Sequence, residues 1–414
     1  MPHRQTDQPV LRGPLLALIG VCAPMSVAAP AMAQCQYTVT EWAPFMCGGW
    51  IPYSYVASRM NSVGGWCGYR YACFPSEAQL PVYCPPGGPP QVLPMPPGAG
   101  PKGAQAVAVN DSGVVVGFSY QGTSGSLKIG CIWMPDGSIE VIPPAPGALA
   151  SQPFAMNNAG AVVGISYSQP YVWANGVHTV IPIPPGVLTG GYATDISDSG
   201  FVVGEFGHHS NGTLRGFRWR DGEFEVLEPA ESYTVSRARG VNDAGVAVGS
   251  SNAYVNGVWV GSVATVWTKD EVIALPSLPG HPFSYAMSIN SSGVIVGGAS
   301  LNGYADTNVA VVWVNGEVYK LAELMVQGTP TIGTLPKAIN AAGEILILGA
   351  IKIVTPISSV SADLTGDCAV DGKDIAKVLA EWGVTPWTVA DVDQDGVVGG
   401  RDLALVLGEW TGPK

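Results

Sequence analysis

The chain has 414 residues, with 31 Asp and Glu against 19 Lys and Arg, a formal charge of −12, and 47% hydrophobic residues. An acidic balance without a basic stripe excludes a nucleic-acid binder, because phosphate contacts need clustered Lys and Arg. The length predicts more than one domain.

Residues 1–33 read as a signal peptide: His3, Arg4 and Arg12 at a basic start, an apolar run over 15–29, and the small-x-small site Ala31-Met32-Ala33. Cleavage after Ala33 predicts a secreted protein, extracellular or at the cell surface. No other stretch reaches about 18 uninterrupted apolar residues, so no membrane span is expected and the mature chain should be soluble. Cys35, Cys47, Cys67, Cys73, Cys84, Cys131 and Cys368 remain after cleavage. Export predicts disulfides among the six that precede residue 132, with 15 connectivities open.

From residue 59 one phrase recurs: "RMNSVGGWCG" (59–68), "AVNDSGVVVG" (108–117), "AMNNAGAVVG" (155–164), "DISDSGFVVG" (195–204), "GVNDAGVAVG" (240–249), "SINSSGVIVG" (288–297) and "AINAAGEILI" (338–347). Its opening residues Asn61, Asn110, Asn157, Ser197, Asn242, Asn290 and Asn340 stand 40 to 50 residues apart. Asn or Ser first and Gly fourth is the preference of a type I turn, and flanking apolar runs make each phrase a β-hairpin. Trp133, Trp173, Trp219, Trp267 and Trp313 follow in third strands such as "ATVW", with Cys84 in their place in the first copy. Fourth strands such as "SIEVIPP" and "EFEVLEP" complete the unit. Four strands repeated at this period predict an all-β propeller of seven blades. The seventh copy lacks a fourth strand after "IKIVTP", and "QYTVTEWAP" (36–44) supplies one, so the two ends are expected to share a blade and hide its edges.

These phrases resemble the extracellular HAF-type repeat proteins, whose units read A-x-x-[IV]-N-x-x-G-x-V-V-G before a Trp strand. The resemblance covers about residues 34–350 and implies a repeat fold without specifying a reaction.

Beyond residue 355 the chain becomes acidic, with eight Asp between Asp363 and Asp402. Asp363, Thr365, Asp367, Asp371 and Asp374 occupy positions 1, 3, 5, 9 and 12 of a loop. Asp391, Asp393, Asp395 and Asp402 fill 1, 3, 5 and 12 of a second, with Gly399 at 9. With the position-7 carbonyls of Ala369 and Val397, each loop offers the oxygen shell a Ca²⁺ ion takes, so two calcium ions are expected. The carboxylates repel one another without metal, so binding should contribute folding free energy. Cys368 stands where position 6 favours glycine, which predicts a weaker first loop. Ile375, Val378, Leu379 and Trp382, and again Leu403, Val406, Leu407 and Trp410, form i, i+3, i+4, i+7 stripes that could pack face to face.

Residues 363–412 resemble a type I dockerin, in which two calcium loops are each followed by a helix. That resemblance implies docking onto a cohesin-like or other surface protein, often within a polysaccharide-degrading assembly. Gly372-Lys373 and Gly400-Arg401 replace the Ser-Thr-like pairs of cellulosomal dockerins.

Tyr69, Tyr71, Tyr120, Tyr167, Tyr254 and Tyr304 lie in the loops after the hairpins, where variable segments on a rigid frame usually bind ligands, here a polysaccharide or peptide. The Trp column is expected to pack between sheets. No G-x-S-x-G elbow or H-E-x-x-H helix occurs, and His208-His209 lie in a variable loop. Asp195, Asp198, Glu205, Glu225 and Asp243 could converge for glycoside hydrolysis, though nothing in their spacing recommends it. The chain therefore reads as a signal peptide (1–33), a propeller (34–354), a linker (355–362) and a calcium-binding module (363–414). Its expected role is a secreted, non-enzymatic binding or scaffold protein. The alternatives are a subunit with glycoside hydrolase-type activity and a structural cell-surface protein.

Overall fold

The structure is a computed structural model that describes residues 37–41, 45–47, 51–53, 55–73, 78–185, 190–207, 214–303, 308–314, 316–325, 335–347, 352–356, 364, 370, 372–383, 390–392, 397–408 and 410. The signal-peptide reading lies outside these residues. None of the described helices is long and apolar enough to cross a membrane.

Each repeated phrase forms the first hairpin of an antiparallel sheet. In the second copy the N–H of Gly113 donates to Asn110 O (3.0 Å), that of Asn110 to Val114 O (3.0 Å) and that of Val114 to Asn110 Oδ1 (2.9 Å). Gly113 sits at φ 76°, open to glycine without strain. The glycine that ends the phrase has a different reason. A bulge between Ala106 and Ala108 brings the first strand's backbone against Gly117, where any Cβ would overlap Gln105 O. Gly249 meets Arg237 O in the same way.

The fold is an all-β propeller. Its sheet count departs from the seven blades expected: five four-stranded sheets stand separately, and strands between residues 56 and 142 join into one eight-stranded sheet. The join is a parallel contact between the strands Gln79–Cys84 and Ala99–Val109 at Gln79 and Gly103. Gly103, at φ 79°, lets the two backbones touch, and Gln105 Nε2 donates to Gln79 Oε1 (2.6 Å) beside it. A further two-stranded ribbon, Phe45–Cys47 with Ile51–Tyr53, was not anticipated.

The shared blade is present. Tyr37–Glu41 pairs antiparallel with Lys352–Pro356, which pairs with Ile345–Ile347 and so reaches Pro336–Ile339. The N-terminal strand is thus the outer strand of the last blade.

Between sheets lie apolar clusters, one of which gathers Val248, Val266, Ala286, Val311 and Trp313. The Trp column packs there as expected, with Trp133, Trp267 and Trp313 fully buried. Their indole N–H groups donate to Pro94 O (2.7 Å), Glu228 O (2.6 Å) and Pro276 O (2.9 Å). Serines stitch neighbouring sheets: buried Ser236 accepts from the N–H of Gly216 (2.9 Å) and donates to Leu227 O. Ser151 makes the same bridge between Gly130 N–H (3.0 Å) and Ile142 O (2.9 Å).

The cysteines correct an expectation. Cys67, Cys84 and Cys131 are free, buried thiols, while Cys73 is disulfide-bonded. Each free thiol packs as a small apolar group on a sheet face, where burial pushes Cys67 up to about 12 and Cys84 to about 11.

Two helices follow, α1 (Gly372–Ala380) and α2 (Gly400–Gly408). They pack on Leu364, Val370, Val378, Ala390, Val398 and Val406, with Ile375 and Leu403 at the margin. The expected stripes are only half used: Leu379, Trp382, Leu407 and Trp410 remain exposed, because two nine-residue helices offer too little facing surface to cover both full stripes.

Candidate functional site

The hairpin turns meet at one end of the propeller and link into a ring. Asn61 Nδ2 donates to Asn110 O (3.0 Å), Asn157 Nδ2 to Ser197 O (3.1 Å), Asn242 Nδ2 to Asn290 O (3.3 Å) and Asn290 Nδ2 to Asn340 O (3.2 Å). Asn340 Nδ2 returns to Asn61 O (3.4 Å). The remaining links run from Asp111 N–H to Asn158 Oδ1 (2.8 Å) and, where serine replaces asparagine, from Ser199 Oγ to Asp243 O (2.7 Å). Asn61, Asn157, Asn242, Asn290 and Asn340 therefore do more than open turns: one amide arm closes the residue's own turn and the other reaches the next.

The ring encloses a cavity of about 220 Å³ lined by residues of all seven turns. Asp111, Asp198 and Asp243 edge it, accepting from Ser62 N–H (2.9 Å), Asn158 N–H (2.7 Å) and Ser199 N–H (3.0 Å). Across its floor Arg59 Nη1 meets Asp195 Oδ1 (2.8 Å) and Nη2 reaches Thr194 O (2.8 Å), a contact between residues 136 apart. Asp195 Oδ2 also accepts from Val241 N–H (3.1 Å). Sequence reasoning missed this pair. Its only trace was that Arg59 and Asp195 stand two residues before the turn, where the other copies carry Ala108, Ala155, Gly240, Ser288 and Ala338.

The carboxylates considered for hydrolysis have other engagements. Glu225 pairs with Arg218 (2.6 Å), Glu205 lies buried 3.8 Å from Arg237, and the three aspartates are held as just described. His208-His209 lie outside the described residues.

Three of the six tyrosines proposed for ligand binding come together, away from the turns. The rings of Tyr69 and Tyr71 meet edge to face (5.8 Å between centroids), and Tyr120 packs on Phe118 in the same manner (5.3 Å). Burial and the neighbouring phenols push Tyr69 up to about 12, and Tyr120 is raised by burial and then by Tyr71. Gln105 Nε2 reaches Tyr120 Oη (3.3 Å), and Lys128 lies 5.8 Å from the Tyr120 ring. Tyr167 stands apart, exposed at φ 47° in its own tight turn, and Tyr254 lies half-buried on the strand Ala247–Val255. Both belong to later blades than the cluster, whose rings come from the strands Trp66–Tyr71 and Val115–Gln121. Tyr304 lies outside the described residues.

Of the expected calcium ligands, Asp363, Thr365, Asp367, Ala369, Asp371, Asp393 and Asp395 lie outside the described residues. Asp374 and Asp402 are fully buried at the first turns of α1 and α2, near the positive helix ends. Asp402 accepts from the N–H groups of Val392 (2.6 Å) and Gly399 (2.7 Å), which ties Gly399 to the loop. Asp391 lies just before Val392, and Val397 has an exposed side chain. Among the described residues no group of three or more His, Cys, Asp or Glu is gathered for a metal.

No family model matches the sequence, and no curated protein is significantly similar to it. Among solved structures the chain is similar to virginiamycin B lyase from Staphylococcus aureus, at 13% identity, TM-score 0.47, covering 77% of this chain and 99% of that one. It is also similar to a streptogramin B lyase (12% identity, TM-score 0.48, 79% and 100% covered) and to YCF48 bound to D1 peptide (13%, 0.46, 82% and 100%).

Proposed function

We propose that this is a secreted, non-enzymatic binding protein, whose propeller takes an extracellular ligand and whose C-terminal module tethers it. The observation that carries the reading is the convergence of Tyr69, Tyr71 and Tyr120 on a rigid sheet frame, with Gln105 and Lys128 beside them. Phenol rings set edge to face, with amide and ammonium groups beside them, suit a sugar ring or an extended peptide. The structural engagements of Asp195, Glu205 and Glu225 favour binding over hydrolysis.

The eight-stranded sheet, in this reading, is two four-stranded blades joined by one parallel contact, giving a wheel of seven. The seven turns of the hydrogen-bonded ring support that count.

The tail would hold two calcium ions through Asp363, Thr365, Asp367, Ala369, Asp371 and Asp374, and through Asp391, Asp393, Asp395, Val397, Gly399 and Asp402. Its exposed Leu379, Trp382, Leu407 and Trp410 then offer an apolar face to a cohesin-like or other surface protein. Isothermal titration of the mature chain against soluble polysaccharides and peptides tests the first part. Saturable heat that Tyr71→Ala and Tyr120→Ala each reduce tenfold or more supports it, and undiminished heat in both variants rejects the tyrosine site.

A further inference from the structure

The parallel contact within the eight-stranded sheet carries a line of polar side chains across five adjacent strands. Tyr71 stands opposite Gln79, whose Oε1 accepts from Gln105 Nε2 (2.6 Å). The same nitrogen reaches Tyr120 Oη (3.3 Å), and Tyr120 stands opposite Lys128. Lys128 Nζ then donates to Gln152 Oε1 on the following sheet (3.0 Å). At about 4.8 Å between strands, the four steps from Tyr71 to Lys128 span roughly 19 Å, the reach of several linked sugar rings. Tyr71 is exposed and Gln79, Gln105, Tyr120, Lys128 and Gln152 are half-buried, so the line is open to a ligand. Without the contact between Gln79 and Gly103 it would break in the middle.

Here an acidic chain turns locally basic. Between residues 42 and 135 the sequence holds Arg59, Arg70, Lys102 and Lys128 against Glu77 and Asp111, whereas the whole chain carries −12. Of these, Asp111 belongs to the turn ring and Arg59 is paired with Asp195. Lys128 has no carboxylate partner among the described residues. Its bond to Gln152 uses one of three ammonium protons and leaves two for a ligand. The Phe118 ring, 4.9 Å from Nζ, and the Tyr120 ring, at 5.8 Å, fix where that charge stands. Exposed Lys102 adjoins the junction at Gly103 and adds to the local positive field.

We propose that the ligand of this line is an extended acidic polysaccharide, its rings lying along Tyr71, Gln105 and Tyr120 and one carboxylate or sulfate group seated on Lys128. The ligand class rests on the tyrosine site above and narrows it. A peptide adding itself as a strand needs a free sheet edge, and Trp66–Tyr71 and Val115–Gln121 are each paired on both sides. Binding then falls to side chains, and phenols, amides and one ammonium match a hydroxyl-rich ring that bears an acid.

The test is titration calorimetry of the mature chain at one ionic strength with polygalacturonate, its methyl ester, dextran sulfate, dextran and poly-L-glutamate. At least one acidic polysaccharide is expected to bind about tenfold tighter than its uncharged counterpart. Preference for polygalacturonate alone identifies a carboxylate, and for dextran sulfate alone a sulfate. Lys128→Gln should bring the two affinities to parity, and Lys128→Arg should keep them apart. Parity in the parent, an undiminished preference in Lys128→Gln, or poly-L-glutamate binding as tightly as the best acidic polysaccharide overturns the proposal. Should Lys128→Gln not fold, added sodium chloride decides: a preference that shrinks with salt supports the proposal, and one that does not rejects it. Binding of uncharged and acidic chains alike that Tyr71→Ala and Tyr120→Ala weaken would leave the tyrosine site standing and remove only the acidic ligand. No binding at all, or binding that neither tyrosine variant weakens, would remove both.

Discussion

Trp66 and Cys84 lie directly opposite one another on adjacent strands, and both are fully buried. In five other copies the sizes are exchanged across the same pair: Val115 faces Trp133, Val162 faces Trp173, Val202 faces Trp219, Ala247 faces Trp267 and Ile295 faces Trp313. The first blade has moved the indole one strand inward and made room by shrinking its partner. Cys84→Trp alone should overpack the site by about 1–3 kcal/mol. Trp66→Val alone should cost about 3–5 kcal/mol for the cavity. The double variant should recover much of both, with a coupling of roughly 1–3 kcal/mol by urea denaturation. Additive losses would mean that the two positions do not share one volume.

The Arg59–Asp195 pair spans the channel. Arg59→Met leaves a buried carboxylate without its cation, and about 2–4 kcal/mol of stability should be lost, below the fully buried figure because Arg59 is part exposed. Arg59→Met with Asp195→Leu should restore most of it, since both charges then leave together. Denaturation midpoints of the three proteins check this.

Glu205 gives a pH dependence of definite sign. Burial raises its carboxyl pKa above the ordinary 4.5, with Arg237 and Arg239 pulling the other way. The folded protein then holds this proton more tightly than the unfolded chain. The associated stability is complete below the ordinary value and is lost as pH rises through the folded one. Glu205→Gln should flatten that decline as pH rises above the ordinary carboxylate value, measured as unfolding free energy against pH. A parallel decline in the variant would assign it to other groups.

The serine bridges predict a local cost. Ser236→Ala leaves the N–H of Gly216 and the carbonyl of Leu227 unsatisfied, and should cost about 1–3 kcal/mol. Ser232→Ala, in an exposed turn, should change stability by less than about 0.5 kcal/mol.

Calcium removal should act on the tail alone. Helices of nine residues are marginal by themselves, so chelation is expected to abolish the signal of α1 and α2 in far-UV circular dichroism while the sheet signal persists. Asp402→Ala should weaken the second site at least tenfold, and its helix should not form at calcium concentrations that suffice for the parent. Helicity unchanged by chelation would remove calcium from the account.

The turns, the Trp column and the shared last blade were legible because each rests on a local rule: Asn before Gly, an apolar third strand, an unmatched strand at each end. What escaped was whatever depends on the ring being closed. Nothing near Arg59 in the chain points to Asp195. The second arm of Asn61, Asn157, Asn242, Asn290 and Asn340 was hidden likewise, since its acceptor lies in another repeat. Compartment suggested paired cysteines, but the β-pleat buried Cys67, Cys84 and Cys131 singly. The helical stripes were legible as patterns, yet periodicity could not tell that Trp382 and Trp410 would stay uncovered.

The seam between Tyr37–Glu41 and Lys352–Pro356 has a consequence for biogenesis. Its two strands are separated by nearly the whole length of the propeller, so a nascent chain emerging from its N-terminus carries one half of the clasp long before the other is made. Until residue 356 arrives, the penultimate edge of the wheel stands open and able to recruit a strand from another molecule. A protease that removes the chain through Glu41 would return the finished wheel to that same unlatched condition.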